Sequence, residues 1–285
     1  MTTTASELIE AGRKRLLRDV ERFNRRGDER IQAEELLEHA AGQELDDDDE
    51  VDAATRRKYE RLLERRAKGE PIGYIRGYEM FRGMRLAVKP GAFIPRETTE
   101  FLAQQAIRRI RRRKDPIAAD LATGVGGVAL AIAHEVPHAD VYGTDIATTA
   151  LALARANAKI NRLPNARFLT GSMYEPLPKR LKGTLDVIAS HPPYVASHEL
   201  KGLPAELIDF EPVESLTDAS RDGLGLVRVL VGGAREWLKP DGWLCVEVAS
   251  DLARTLRSML VRASFREVQS TRGEYAYTRV LVGKR

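Results

Sequence analysis

The stretch IAADLATGVGG, Ile117 to Gly127, decides how this chain folds. Its first five residues are apolar except for Asp120, which suits a buried strand. Glycines then crowd positions 124, 126 and 127, and a helix rich in alanine and isoleucine follows over Val128 to Val136. A strand that passes to a helix through a glycine turn opens a parallel α/β unit, whose ligands lie at the carboxyl ends of the strands. Outward from there the alternation repeats. Strands are expected at Asp140–Thr144, Ala166–Leu169, Leu185–Ala189 and Trp243–Val248, with helices at Thr148–Ile160, Gly223–Leu238 and Asp251–Val261. Phe265–Val268 and Tyr275–Val282, joined by a short polar loop, suit an antiparallel closing pair. The whole predicts a doubly wound α/β sheet with both faces covered.

Toward the N-terminus the period changes. Tyr78 and Met80, then Met84, Leu86 and Val88, are expected on one face of two strands that turn at Arg82-Gly83. Ahead of them only helical spacing occurs. Thr4 and Glu7 have capping-box spacing; Ile31, Leu36, Leu37 and Ala40 mark a second helix, and Tyr59, Leu62 and Leu63 a third. The acids Asp46 to Glu50 between them read as a solvated loop. The expected organisation is a helical recognition domain over 1–72, a linking β-hairpin over 73–92 and a ligand-binding domain over 93–285. The last begins with Phe93-Ile94-Pro95-Arg96 and a helix capped by Thr98 or Thr99.

Composition narrows the classes. With 43% hydrophobic and 31% charged residues the chain is expected to be globular, and no apolar stretch approaches the ~20 residues a bilayer requires. Its single cysteine, Cys245, sits in an apolar run and is expected to be a core thiol in a reducing cytoplasm. A net charge of +4 is modest. The basic cluster Arg108 to Lys114 reads as a helix C-terminus whose cations complement the dipole. Without nearby aromatic residues for base stacking, it does not suggest nucleic acid. No metal-ligand cluster is expected.

The glycine turn is ambiguous alone, because Gly124, Gly126 and Ala129 also fit the dinucleotide pattern G-x-G-x-x-A. Asp120 favours S-adenosylmethionine: a carboxylate before the turn can hold the ammonium group of a methionine moiety but would repel a pyrophosphate. Asp145, at the end of the second strand, can accept both ribose hydroxyls. The expected cofactor residues are Asp120, Ala122, Thr123, Gly124, Gly126, Asp145, Ile146 and Met173.

The strand Leu185–Ser190 ends in His191-Pro192-Pro193-Tyr194. Two prolines cannot continue a sheet. They hold an extended, stiff exit beside the cofactor crevice, where the Pro192 carbonyl can accept a hydrogen bond from an amino group and Tyr194 can lie against a planar substrate. The alternative is a rigid strand exit with a surface His and Tyr. The Pro-Pro-Tyr turn resembles the Asn-Pro-Pro-Tyr motif of amino methyltransferases acting on amide or exocyclic amine nitrogens. The wider chain resembles the HemK/PrmC family, which methylates the glutamine of the GGQ motif in peptide chain release factors. Carrying that resemblance are Gly69-Glu70-Pro71-Ile72 with Tyr74-Ile75, Phe93 to Arg96, the glycine loop, Asp145-Ile146, Ala150 to Asn157, Phe210-Glu211-Pro212 and Asp222-Gly223-Leu224. It implies a seven-stranded Rossmann-like sheet, S-adenosylmethionine as donor with S-adenosylhomocysteine as product, and a substrate pocket between the domains.

Three departures stand out. The family's asparagine is His191, its first loop glycine is Ala122, and its Ile-Pro-Arg-Pro-Glu-Thr-Glu segment reads Ile94-Pro95-Arg96-Glu97-Thr98-Thr99-Glu100. A histidine can act as a general base near neutral pH, which an asparagine cannot. That suits an aliphatic amine (pKa ~10 as in lysine), which must lose a proton before it attacks. Three functions remain open. One is release-factor methylation. A second is chemistry on a small amine, which includes a ring closure in which the methyl never moves. The third is a nonenzymatic role, and any of them allows a second protein on the N-terminal helices. His191, Pro192 and Tyr194 are the expected catalytic residues, with Pro193, Arg96, His198 and Glu211 on the substrate side.

Overall fold

A computed structural model describes residues 3–18 and 27–285. They resolve into two compact units. One contains the described residues up to Tyr78 together with Lys201–Glu211; the other contains Glu79–Leu200 and Pro212–Arg285.

The first unit is helical. A two-residue strand β1 (Thr3–Thr4) leads into α1 (Ala5–Leu16), and the expected capping box forms: the Glu7 amide donates to Thr4 Oγ1 at 3.4 Å and the Thr4 amide to Glu7 Oε2 at 3.2 Å. Helix α2 (Glu29–Ala41) follows, then β2 (Glu50–Val51), which pairs with β1 and so takes Glu50 out of the acidic loop. Helices α3 (Ala53–Ala67) and α4 (Ile72–Arg76) complete it. Leu8, Ile9, Leu36, Leu37, Tyr59 and Leu62 share one core. Ile31 does not join them: α2 buries positions 29, 32, 33, 36, 37 and 40, which turns residue 31 to solvent. The Arg66 guanidinium, 1% exposed, donates to Gln32 Oε1 at 2.7 Å and to Glu206 Oε2 at 3.2 Å. That ion pair anchors the short helix Ala205–Phe210 among elements far away in sequence.

The second unit begins at Glu79, one residue into a hairpin of β3 (Tyr78–Phe81) and β4 (Met84–Ala87). Arg82 and Gly83 have φ of 47° and 74°, the backbone of a two-residue hairpin turn. Such a turn sets Phe81 opposite Met84, so Phe81, Met84 and Leu86 face inward and Tyr78 and Met80 share the other face. Met80 is accordingly exposed and Phe81 buried, which corrects the expected face by one residue.

The sheet unit continues with α5 (Thr99–Ile110), β5 (Ile117–Leu121), α6 (Gly127–Glu135), β6 (Asp140–Asp145), α7 (Thr148–Ile160), β7 (Ala166–Thr170) and β8 (Leu185–Ser190). The helix α8 (Ala205–Phe210) belongs to the first unit. Then come α9 (Gly225–Trp237), β9 (Leu238–Ala249), α10 (Ala253–Arg262), β10 (Arg266–Thr271) and β11 (Thr278–Lys284). Seven strands lie in the order β10-β11-β9-β8-β5-β6-β7, with β11 antiparallel to both its neighbours and the pairs from β9 to β7 parallel. The order reverses between β5 and β8, and ligands of open α/β sheets bind at such a switch point.

Residues of successive parity face opposite cores. Val187 joins Leu130, Ile132 and Phe168 on one side; Ile188 joins Leu230, Leu244 and Leu256 on the other. Cys245 is fully buried, and burial pushes its thiol up to about 11, as expected of a core residue. The basic cluster after α5 is partly structural: Arg113 Nη1 reaches Asp186 at 2.8 Å, and the Arg109 guanidinium lies 4.6 Å from the Trp243 ring centroid. Among the described residues, no helix is long and apolar enough to cross a membrane.

Candidate active site

The crevice at the switch point is built by backbone geometry first. Ala122, Gly124 and Gly126 have φ of 59°, 56° and 93°. The left-handed conformation costs an L-residue with a Cβ roughly 1–2 kcal/mol, so Ala122 carries strain that a glycine would not. At Gly126 a Cβ would come within 3.1 Å of both Leu130 and Phe168, whereas at Gly124 it would meet nothing within 4 Å. The first glycine lets α6 pack on the sheet; the second leaves open space above the loop.

Two carboxylates border that space. Asp120, 2% exposed, accepts from Thr123 Oγ1 at 2.5 Å and from the Ala129 amide at 3.1 Å. Burial nevertheless pushes its carboxyl up to about 7, with the charge of Asp145 adding to the rise. Asp145 accepts from the Gly124 amide at 2.8 Å and the Ala147 amide at 2.9 Å, and burial raises its pKa as well. Ile146 beside it is 58% exposed, an apolar side chain left uncovered at a strand end. Met173 differs from the rest: its side chain is buried in the core and its carbonyl accepts from Thr144 Oγ1 at 2.7 Å. A cationic, nucleoside-bearing ligand fits this set, since a buried carboxyl near 7 gains from an adjacent ammonium and the open loop admits a close approach.

On the other side of the switch point, Ser190 Oγ donates to the Leu121 carbonyl at 2.7 Å and ties the ends of β8 and β5 together. His191 leaves that junction with 16% of its side chain exposed. Its Nδ1 lies 3.0 Å from Thr99 Oγ1, its ring is edge-on to Phe93 at 6.1 Å, and it is tilted against Tyr194 at 5.5 Å. Pro192 is buried, while Pro193 and Tyr194 are half-buried. Burial raises the Tyr194 pKa, and the Glu247 charge raises it further. Arg96 stacks on Phe93 with its guanidinium 4.3 Å from the ring centroid, one ring away from His191. Thr99 therefore serves the histidine. Thr98 is the residue at the cap of α5, without a side-chain hydrogen bond there.

His198 is exposed and lines a cavity of about 520 Å³ with Glu199, Ser220, Asp222 and Leu252. Asp222 accepts from the Leu224 amide at the start of α9 and pairs with Arg228. Glu211 is buried in the first unit, where its amide closes α8 on the Leu207 carbonyl.

One residue was missed. Glu247, fully buried in β9, has Oε2 3.9 Å from His191 Nδ1, and neither of its oxygens has a hydrogen-bond partner. The available signal was a single acid inside the apolar run Trp243 to Ala249.

A sheet of this order, with a glycine turn after its first strand and a proline-stiffened exit from its fourth, defines a methyltransferase of the Rossmann-like class. Solved structures agree on the fold. A methyltransferase from Pyrococcus furiosus superposes with TM-score 0.53 at 17% identity, covering 71% of this chain and 89% of that one. The T. thermophilus 16S rRNA N2 G1207 methyltransferase, in complex with AdoMet and guanosine, gives 0.54 at 18% identity over 73% and 49%. The PrmC N-terminal domain model matches residues 15–77 and the methyltransferase small domain model residues 85–209. Among full-length relatives, the release factor glutamine methyltransferase of Xylella fastidiosa (strain 9a5c) is 36% identical over 90% of this chain and 93% of its own length. That of Bordetella pertussis is 37% identical over 85% and 90%. The chain belongs to the HemK/PrmC family and is an S-adenosylmethionine-dependent methyltransferase.

Proposed function

We infer that this enzyme methylates the side-chain nitrogen of a glutamine in a peptide chain release factor. The observation that carries this reading is the extent of the likeness. The named relatives match over 90% and 85% of the chain, and the PrmC-type N-terminal domain is included as well as the more widely shared sheet.

Each group has a role in that reaction. Asp120 and Asp145 would hold the donor, the first through its ammonium group and the second through its ribose, and Ile146 would cover the adenine. Bound there, S-adenosylmethionine would supply an electrophilic methyl carbon with its sulfur as the leaving group. The Pro192 carbonyl accepts a hydrogen bond from the acceptor's NH2 group and directs the nitrogen lone pair at the methyl carbon. Pro193 and Tyr194 confine the flat amide, and His191 takes the proton that the nitrogen sheds as its new bond forms. Most of the rate comes from holding nitrogen and carbon at ~3–3.5 Å.

The test is transfer of labelled methyl to a release factor with an unmodified GGQ loop. Label on that glutamine is expected. An enzyme saturated with donor that leaves it unlabelled, but methylates small amines, would replace this reading with the second one. That alternative draws support from one observation: His191, a residue able to deprotonate an ammonium group, stands beside the buried side chain of Glu247.

A further inference from the structure

A carboxylate buried without hydrogen bonds is costly, and proteins keep one only where a charge or proton partner is at hand. Glu247 is such a group: 0% exposed, on a central strand, with both oxygens unsatisfied. The nearest group able to carry a compensating charge is His191, whose Nδ1 is 3.9 Å from Glu247 Oε2. The same Nδ1 is 3.0 Å from Thr99 Oγ1. Around the imidazole stand Thr99 from α5, Phe93 with Arg96 stacked on it from the preceding segment, Tyr194 from the turn after β8, and Glu247 from β9. Asp251 and Tyr277 lie farther out, where they are felt by Tyr194. Thr99 Oγ1 and Glu247 Oε2 therefore approach the same ring nitrogen.

We propose that Glu247 is a positioning residue that holds His191 with its proton on Nδ1, so that Nε2 keeps a free lone pair for the acceptor's proton. The pair rests on the methyl-transfer reading for its use, but its existence does not. Which nitrogen of a histidine is protonated is set by what the other nitrogen meets. A carboxylate at Glu247 could only accept and so favours hydrogen on Nδ1, while the Thr99 hydroxyl can accept from that hydrogen or donate to a bare nitrogen and permits either tautomer. When Nε2 takes the proton released by the acceptor, the resulting imidazolium is compensated by the carboxylate beside it. The proton moves from nitrogen to nitrogen, and no oxidant, metal or further reactant takes part. The arrangement has the logic of an acid–histidine pair in which the acid orients the base and never itself reacts.

The experiment compares the full-length enzyme with Glu247→Gln, in native and in His191→Asn backgrounds. The introduced carboxamide fills the same volume but can donate to Nδ1, which reverses the preferred tautomer. In 15N-histidine spectra of the donor-bound enzyme, with five histidines in the chain and the resonance identified by its loss in His191→Asn, His191 is expected to be Nδ1-protonated in the native protein and Nε2-protonated in Glu247→Gln. In steady-state assays kcat should fall about tenfold or more, within the range of general-base effects, while KM and donor affinity stay unchanged. In the His191→Asn background Glu247→Gln should have no further effect on kcat. An unchanged tautomer, or an equal loss of kcat in both backgrounds, would overturn the proposal. If no acceptor is labelled at all, the proposed function fails, and the spectrum still decides the tautomer.

Discussion

The two sides of the switch point each bury one acid, and they treat it oppositely. Asp120 is met by the Thr123 hydroxyl and the Ala129 amide, both supplied within nine residues of chain. Glu247 is met by no donor; its neighbour is a histidine brought from another strand. The Asp120 side is thus finished by its own loop, whereas the Glu247 side is finished only by tertiary contact. On the proposed function, the first design suits binding a cofactor of constant shape and the second suits handling a proton that comes and goes.

The largest effect that could break this contrast is at Asp120. Asp120→Asn should weaken S-adenosylmethionine binding by about 10²-fold, the scale of a lost charge-assisted hydrogen bond, measured by calorimetry. The same residue fixes a pH dependence. Its carboxyl is raised to about 7, so in the free enzyme it carries a proton from its ordinary range up to that value. Since an ammonium group needs the ionised form, donor affinity should be level above about 7 and fall toward tenfold per unit below it. Proton release on binding at pH 6, read from calorimetry in two buffers, checks the sign; proton uptake would contradict it.

Next is stability on the acceptor side. Glu247→Met removes a buried carboxyl group without hydrogen-bond partners and should stabilise the fold by about 2 kcal/mol in denaturant titrations, while lowering kcat. A destabilised variant would mean that the carboxylate has a structural partner. The mirror experiment, Thr123→Val, strips Asp120 of its hydroxyl and should cost about 1–2 kcal/mol. Smallest of all, Ala122→Gly relieves a backbone φ of 59° and should stabilise by about 1 kcal/mol or less, net of glycine's added freedom in the unfolded chain.

The same contrast explains what the sequence could reveal. The glycine turn and its two acids were legible as structure because they are local: glycines at a strand-to-helix turn, an acid before it and another at the next strand end. The order of strands and helices followed from periodicity for the same reason. The hairpin face was misread because its parity depends on the number of residues in the turn, and a two-residue loop at Arg82-Gly83 reverses the assignment made from hydrophobicity alone. Met173 satisfied no local test and lies in the core. Glu247 could not be found by spacing, since its meaning depends on His191, which arrives from a neighbouring strand. Glu206 is a similar case: its ion pair with Arg66 spans 140 residues.

That last pair has a consequence for modularity. After the reaction turn the chain departs the sheet unit at Leu200, spends Lys201–Glu211 in the helical unit, and re-enters at Pro212. The helical unit is therefore discontinuous, and no single cut of the polypeptide liberates it whole. A fragment ending at Tyr78 would lose the Arg66–Glu206 ion pair. A graft of the helical unit onto another sheet would have to carry an eleven-residue passenger from deep inside the catalytic sequence. Recombination at one junction would break the fold, so the two units are expected to be inherited together.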